Sequence, residues 1–375
     1  MAKRVLIFGL KDPAGGVESA VMNYVRNFDR TRLVCDVVVF SDPFSLGAEI
    51  QGMGGKVICL PNRRKNYAQY RAAVSRIFED GEYCAVWCNL SGLTNMDIPE
   101  LAQKKGIPVI VAHSHTSQLA WGSPVMKYVV HAMHYYYKGK VGRYFTDFFG
   151  CSRKSAVFMF GEKYGSQAKI IPNAIDASRF RHSGETRSAV RSSLGLQEKD
   201  LVIGHVGRMC VAKNQKFLLD VFRAFSQRNP GAKLLFVGDG ELQESVLAYA
   251  SQIGIDGQVI FTGARGDVDR LLSAMDVFFL PSVTEGFPVT LVEAQAASLP
   301  CVVSAEAVLK ETDLTGHMRF VSLGDDMENW VRALEEASRD PYHDGNEIVA
   351  ASEYDIHQAA GKLEQYFTGG KLETP

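Results

Sequence analysis

Two doubly wound parallel α/β sheets, one in each half of the chain, are the fold class that the sequence predicts, on three observations. Short, wholly apolar runs recur along the chain, and segments of helical periodicity fill the gaps between them. Runs apolar on both faces belong in parallel sheets with helices on either side. A length of 375 residues suffices for two such domains. The charge also divides. Residues 1–172 carry 22 Lys and Arg against 13 Asp and Glu, and residues 173–375 carry 19 against 29, although the whole chain nets −1. A basic half and an acidic half suit two domains with different partners, the basic one meeting something anionic.

In the first half the strands are expected at 4–9, 34–40, 56–60, 84–88, 108–112, 148–151 and 169–171, with helices near 17–28, 66–80 and 97–105. In the second half they are expected at 201–206, 233–237, 259–261, 277–280 and 301–304. The helices there lie near 186–195, 214–228, 241–254, 267–275 and 288–298. Beyond about residue 326 the pattern is helical, residues 354–367 are amphipathic, and the polar tail from 368 is frayed. The domains are drawn at 1–172 and 173–350, with 351–375 as a terminal helix and tail.

Composition sets further bounds. With 46% hydrophobic and 22% charged residues, the chain has enough apolar content for sizeable cores, which argues against wholesale disorder. Its seven cysteines are odd in number, scattered and mostly within apolar runs, as expected of reduced thiols in a cytosol. Cys84 and Cys88 lie along one expected strand, roughly 13 Å apart at strand rise, too far for a disulfide or a shared metal. The N-terminal residues read as a strand, not a signal peptide, and no apolar run reaches spanning length. A cytoplasmic protein, peripheral at most, is expected.

The loops that follow the strands carry the chemistry. Gly15-Gly16 opens the first helix, lets backbone approach a ligand closely, and leaves a helix N-terminus that favours a phosphate. It lacks the GxGxxG of dinucleotide sites. His113 and His115 sit two apart at the end of the fifth strand. In the second half, Arg208 and Lys213 flank a turn at a helix start, where cations oppose the helix dipole. A diphosphate between them would explain both, taking a fork from Arg and a point charge from Lys. Glu285 lies on the loop after strand 277–280 and Glu293 on the helix that the loop opens. Carboxylates so placed accept bidentately from vicinal hydroxyls such as those of a ribose or a hexose. The bland alternatives are a capping acid and a solvated one, and two solvated cations. Arg63 and Arg64 belong to a basic run. The segment from Trp121 to Lys163 interleaves Lys127, Lys138, Lys140 and Arg143 with tyrosines, which suits an anionic membrane interface. No nucleic-acid module is recognisable.

Glu285-x7-Glu293, set between Leu280-Pro281-Ser282 and Leu299-Pro300, closely resembles the signature of the retaining glycosyltransferases of family 4, which have the two-domain GT-B fold. Gly15-Gly16-Val17-Glu18, Asn173-Ala174-Ile175-Asp176 and Gly207-Arg208-x4-Lys213-Asn214 match further motifs of that family, so the resemblance spans nearly the whole chain. Ala174 and Ser298 stand where the family usually has Gly. The resemblance implies two Rossmann-like domains facing across a cleft, with the terminal helix returning to the first. It implies a nucleotide-sugar donor in the second domain, on Arg208, Lys213, Glu285, Gly286, Phe287, Pro288 and Glu293, with Gly15 and Gly16 over the donor phosphates. Glu293 would take the ribose, Glu285 the donor sugar, and backbone near residues 263–268 the base. His115, rather than His113, would be the active-site histidine.

The activity implied is retaining transfer of a hexose from a nucleotide diphosphate sugar, most simply a UDP-sugar. The acceptor would be a lipid-linked or oligosaccharide chain held by the first domain, in capsule or exopolysaccharide assembly. Two cations, not a metal-binding Asp-x-Asp motif, would meet the leaving diphosphate, and no cofactor or metal is expected. Arg63, Arg64, Lys127, Lys138, Lys140, Arg143 and His113 are candidates for the acceptor or the membrane. The alternatives are a nucleotide-sugar epimerase of the same fold and a non-catalytic nucleotide-sugar-binding subunit. Product analysis would separate the first, and the intact Arg208, Lys213, Glu285 and Glu293 weigh against the second.

Overall fold

The computed structural model describes residues 2–12, 15–117, 119, 124–285 and 287–372, with backbone only at 124 and 125. The chain forms two compact units, Met1–Ala174 joined by Ile356–Pro375, and Ile175–Asp355.

The first unit runs β1 (Lys3–Phe8), α1 (Gly16–Asn27), β2 (Leu33–Val39), α2 (Gly47–Gly52), β3 (Val57–Cys59), α3 (Tyr67–Asp80) and β4 (Tyr83–Leu90). It continues through α4 (Asp97–Lys104), β5 (Val109–Ser114), α5 (Pro124–Lys138), β6 (Asp147–Gly150), α6 (Arg153–Gly165) and β7 (Lys169–Ile170). Its sheet has the order β3-β2-β1-β4-β5-β6-β7, and every pairing is parallel.

The second unit holds α7 (Gly184–Ser193), β8 (Leu201–Val206), α8 (Gln215–Arg228), β9 (Ala232–Val237), α9 (Gln243–Gln252), β10 (Val259–Phe261) and α10 (Val268–Ser273). Then come β11 (Val277–Leu280), α11 (Val289–Ala296), β12 (Cys301–Ser304), β13 (Met318–Val321), α12 (Met327–Ala337) and α13 (Gly345–Ala350). The parallel order is β10-β9-β8-β11-β12-β13. The last helix, α14 (Ile356–Phe367), belongs to the first unit and packs on α1.

Strand alternation explains why these runs are apolar throughout. Val5, Ile7, Val37 and Trp87 face a core shared with α1 and α14, while Leu6, Phe8, Val38 and Val86 face one shared with α3, α4 and α6. In the second unit Val202, Phe278 and Val303 look one way, and Ile203, Phe279 and Val302 the other.

The unit boundary falls after Ala174, not after residue 172, and the return begins at Ile356, not at 351. Contacts set both points. The carbonyls of Pro172 and Ala174 accept from Tyr24 Oη and Asn23 Nδ2 on α1, each at 2.7 Å. Ile175 instead forms an isolated parallel bridge with Asp355. β13 lies beyond the strands expected from the sequence.

Each sheet has a switch point, at β1/β4 and at β8/β11, where the connections on the two sides run in opposite directions. The loops leaving the carboxyl ends of those strands diverge there and make room for a ligand.

Candidate functional site

In the second unit, the loops after β8 and β11 are tied together. Asn214 adopts the left-handed conformation (φ 58°), which an Asn tolerates, and its Nδ2 donates to Pro281 O at 3.2 Å. Val283 N donates to Ala212 O at 2.8 Å, and Gln215 Nε2 to Arg208 O at 2.9 Å. This bracing brings Lys213 Nζ to 2.7 Å from Glu285 Oε1, with side chains only 15% and 9% exposed. Ser282 Oγ donates to the same carboxylate oxygen at 2.5 Å, and Ser304 Oγ holds the carbonyl of Ser282. Ser282 and Ser304 had no role in the sequence reading. Hydroxyls leave no charge pattern, and only the residue order Leu-Pro-Ser before the loop hinted at one of them.

Arg208 does not close on Lys213. Its side chain is 73% exposed, and Nε donates to Glu241 Oε2 at 3.0 Å. Arg208 borders an open polar depression of about 590 Å³ with Gly238, Asp239, Gly240 and Gln243. Gly238 is obligatory here: with φ at +133°, a Cβ would lie 2.2 Å from the carbonyl oxygen of Gly207. The turn after β9 can therefore pass directly beneath the loop that carries Arg208.

Glu293 projects from α11 into different surroundings. Among the described residues it has no hydrogen-bond or ion-pair partner, and the charges acting on it are Arg179 and Asp269, not those that hold Glu285. Burial raises its pKa from 4.5 to about 7; Arg179 opposes this and Asp269 adds to it. Phe287 stacks on Tyr354 with centroids 5.2 Å apart, and Pro288 caps α11. Gly286 lies outside the described residues. Asp267-Val268-Asp269 does have Asp-x-Asp spacing, against the expectation of none. Both carboxylates are engaged, Asp267 by Arg265 at 2.8 Å and Asp269 by Arg179 at 3.7 Å. Among the described residues no three His, Cys, Asp or Glu side chains gather as a metal cluster.

Beneath this loop lies His205, fully buried, with Nδ1 3.0 Å from Phe279 O. Burial first, and then the charge of Lys213, pull its pKa down to about 4, with the Phe279 bond opposing. The imidazole is therefore neutral and adds no second charge below Lys213.

In the first unit, Gly15 caps α1, and Glu18 folds back over the helix start. Its carboxylate accepts from Lys11 N and Gly15 N, both at 2.8 Å. The anion at this helix end is thus a side chain of the protein itself, while a Cβ at Gly16 would meet nothing within 4 Å. His113 is buried, accepts from Trp87 Nε1 at 3.1 Å and stacks on that indole. His115, just past β5, sets Nε2 2.8 Å from Asn89 Oδ1. With that oxygen as acceptor, Nε2 carries the proton. Burial lowers the pKa of His115 to about 4 and that of His113 well below its ordinary value, so both rings are neutral at pH 7.

The basic candidates separate into two groups. Arg63 is bound to Asp97 at 2.5 Å, and Lys138 donates to Phe158 O at 2.5 Å, so both serve the fold. Arg64, Lys127 and Arg143 are exposed, and Lys140 Nζ lies 3.7 Å above the Tyr136 ring. On α5, Tyr128, Tyr135 and Tyr136 are among the most exposed large side chains described. Among the described residues no helix is long and apolar enough to cross a membrane.

Solved structures share this fold. HepE of Anabaena, in complex with UDP, aligns over 98% of this chain and 99% of its own with a TM-score of 0.76 at 18% identity. The chain has the GT-B fold. Residues 186–354 match the family model of the glycosyl transferases group 1. The second unit thus carries a domain of that family, and the chain is a glycosyltransferase resembling those of family 4. It is 28% identical over 361 residues to EpsF of Bacillus subtilis (strain 168), a protein named as a glycosyltransferase, covering 93% of this chain and 92% of that one. Over 138 residues, 36% of each chain, it is 33% identical to the UDP-Gal:alpha-D-GlcNAc-diphosphoundecaprenol alpha-1,3-galactosyltransferase of Escherichia coli.

Proposed function

We propose that this glycosyltransferase moves a hexose from a UDP-sugar, with retention and without a metal or cofactor, to a lipid-linked or oligosaccharide acceptor in the assembly of a capsular or extracellular polysaccharide. The observation that carries the reading is the sequestered Lys213–Glu285 pair, at the carboxyl ends of β8 and β11, beside the exposed Arg208. Departure of the diphosphate develops negative charge on its oxygens. Lys213, fixed in a largely dry site, can stabilise that charge with little reorganisation. Arg208 has only an exposed partner to leave when it turns to the phosphates. Glu285, oriented by Lys213 and Ser282, can accept from sugar hydroxyls, and Glu293 from the ribose diol. Uridine is favoured by the donor named for the E. coli relative and by the nucleotide in the HepE structure.

We assign the acceptor to the basic first unit, where His115 is held neutral as a hydrogen-bonding group rather than a cation. The exposed tyrosines of α5, with Lys127, Lys140 and Arg143, support contact with an anionic lipid surface at the inner face of the cell membrane. The test is transfer from UDP-glucose, UDP-galactose and GDP-mannose to lipid-linked glycans extracted from bacterial membranes, in chelator, with proton NMR of the new linkage. The reading expects an α-linked product from a UDP-sugar. A β-linkage, a strict need for a divalent ion, or transfer from GDP-mannose alone would overturn it.

A further inference from the structure

A cavity of about 300 Å³ lies wholly within the first unit, at the carboxyl ends of β1, β2 and β4. Its walls are of two kinds. Phe8, Leu10 and Phe40 are apolar; Lys11, Asn89 and Asn95 are polar. Phe40 follows β2 directly and is 50% exposed. It is nevertheless held rigidly. Phe8 packs against it edge-on at 6.1 Å, and Tyr70 stacks behind it at 6.4 Å with 28° between the planes. Tyr70 is in turn backed by Tyr67 at 6.4 Å. Three stacked rings thus present the outermost one to solvent.

The polar wall is similarly fixed. Asn95 donates to Tyr70 Oη at 3.1 Å and accepts from Asp97 N at 2.9 Å. Asn89, only 3% exposed, spends Oδ1 on His115. Its Nδ2 donates to Phe8 O and Trp87 O, both at 3.5 Å, the long limit of a hydrogen bond, so a closer acceptor could compete for it. Gly9 permits the crowding: a Cβ there would lie 2.0 Å from Asn89 O.

We propose that this cavity is a sugar subsite, in which Phe40 is the stacking platform for the pyranose ring of the acceptor. A pyranose has a face of C–H bonds and a rim of hydroxyls. The C–H face suits the negative face of an aromatic ring, and the hydroxyls suit the amides of Asn89 and Asn95 and the ammonium of Lys11. The volume fits a short piece of glycan, not a nucleotide sugar. Asn89, in the wall of the cavity, is hydrogen-bonded to His115, which ties the subsite to the histidine assigned to the acceptor. The subsite rests on the transferase reading given above.

The test is saturation-transfer difference NMR with methyl β-glucoside, methyl β-galactoside and methyl β-N-acetylglucosaminide at millimolar concentration. At least one glycoside should receive saturation on the protons of one ring face. That signal should vanish in Phe40→Ala and persist in Phe40→Trp, while retained UDP binding shows that both variants are folded. No saturation of any glycoside, or equal saturation in wild type and Phe40→Ala, overturns the subsite. UDP binding, measured on the same samples, keeps the two readings apart. UDP binding without glycoside binding sinks only the subsite, whereas absence of UDP binding sinks the donor reading as well.

Discussion

Glu293 is the residue whose chemistry depends most on pH. Its carboxyl ionises at its ordinary value in the unfolded chain, and burial raises that value to about 7 in the native one. Between the two values the native state binds more protons. Its stability is therefore full below about 4.5 and falls as pH rises to about 7, by on the order of 3 kcal/mol. Glu293→Gln should flatten that dependence in urea unfolding. It should also flatten binding: UDP-glucose, whose own phosphates do not titrate here, should bind wild type more tightly as pH rises towards 7 and the variant weakly throughout. A wild-type affinity constant across the window contradicts the ribose assignment. Lys213 and Glu285 test each other. Lys213→Met strands a nearly buried carboxylate and should cost about 3 kcal/mol. Adding Glu285→Leu should restore most of that stability but none of the UDP binding. A double variant that still binds UDP would make the pair structural only.

At the scale of elements, α5 turns an aromatic face outwards, with Tyr128 75%, Tyr135 61% and Tyr136 58% exposed. Tyr135→Ser with Tyr136→Ser should abolish sedimentation with phosphatidylglycerol vesicles at low salt while leaving UDP binding intact. Unchanged sedimentation would remove the membrane assignment. The fully buried strands were legible because they are unbroken apolar runs: β8 and β11 begin and end as expected. β13 was not, because Met318-Arg319-Phe320-Val321 is four residues long with an arginine inside it. Arg319 finds Asp340 from a distant loop, at 2.6 Å, and no local pattern announces that partner. α2 was hidden likewise, as six residues with a Gly at each end. In the candidate site, residue order singled out Lys213, Glu285 and Glu293 as candidates. It could not show that Arg208 turns to Glu241, that Arg63 and Lys138 are occupied by the fold, or that Asn89 anchors His115. Those contacts join residues 33, 34, 20 and 26 positions apart, respectively.

At the scale of the whole molecule, the last helix completes the first unit. Glu364 on α14 is 4% exposed; its carboxylate accepts from Asp29 N at 2.6 Å and meets Arg32 at 2.8 Å. Phe367 closes on Trp87 at 5.6 Å. Glu364→Ala removes a charge-assisted hydrogen bond to the Asp29 amide and the partner of Arg32, and should lower stability by about 2 kcal/mol, read as a lower urea midpoint. An unchanged midpoint would mean that α14 is dispensable to the first core. The central claim is that Arg208 and Lys213 of the second unit hold a nucleotide diphosphate without a metal. Calorimetric titration of UDP in excess chelator tests it most directly, on wild type, Arg208→Ala and Lys213→Met. Saturable binding by wild type in chelator, weakened in Arg208→Ala and lost in Lys213→Met, is the predicted result. Binding that needs a divalent ion, or that survives both substitutions unchanged, would contradict the claim.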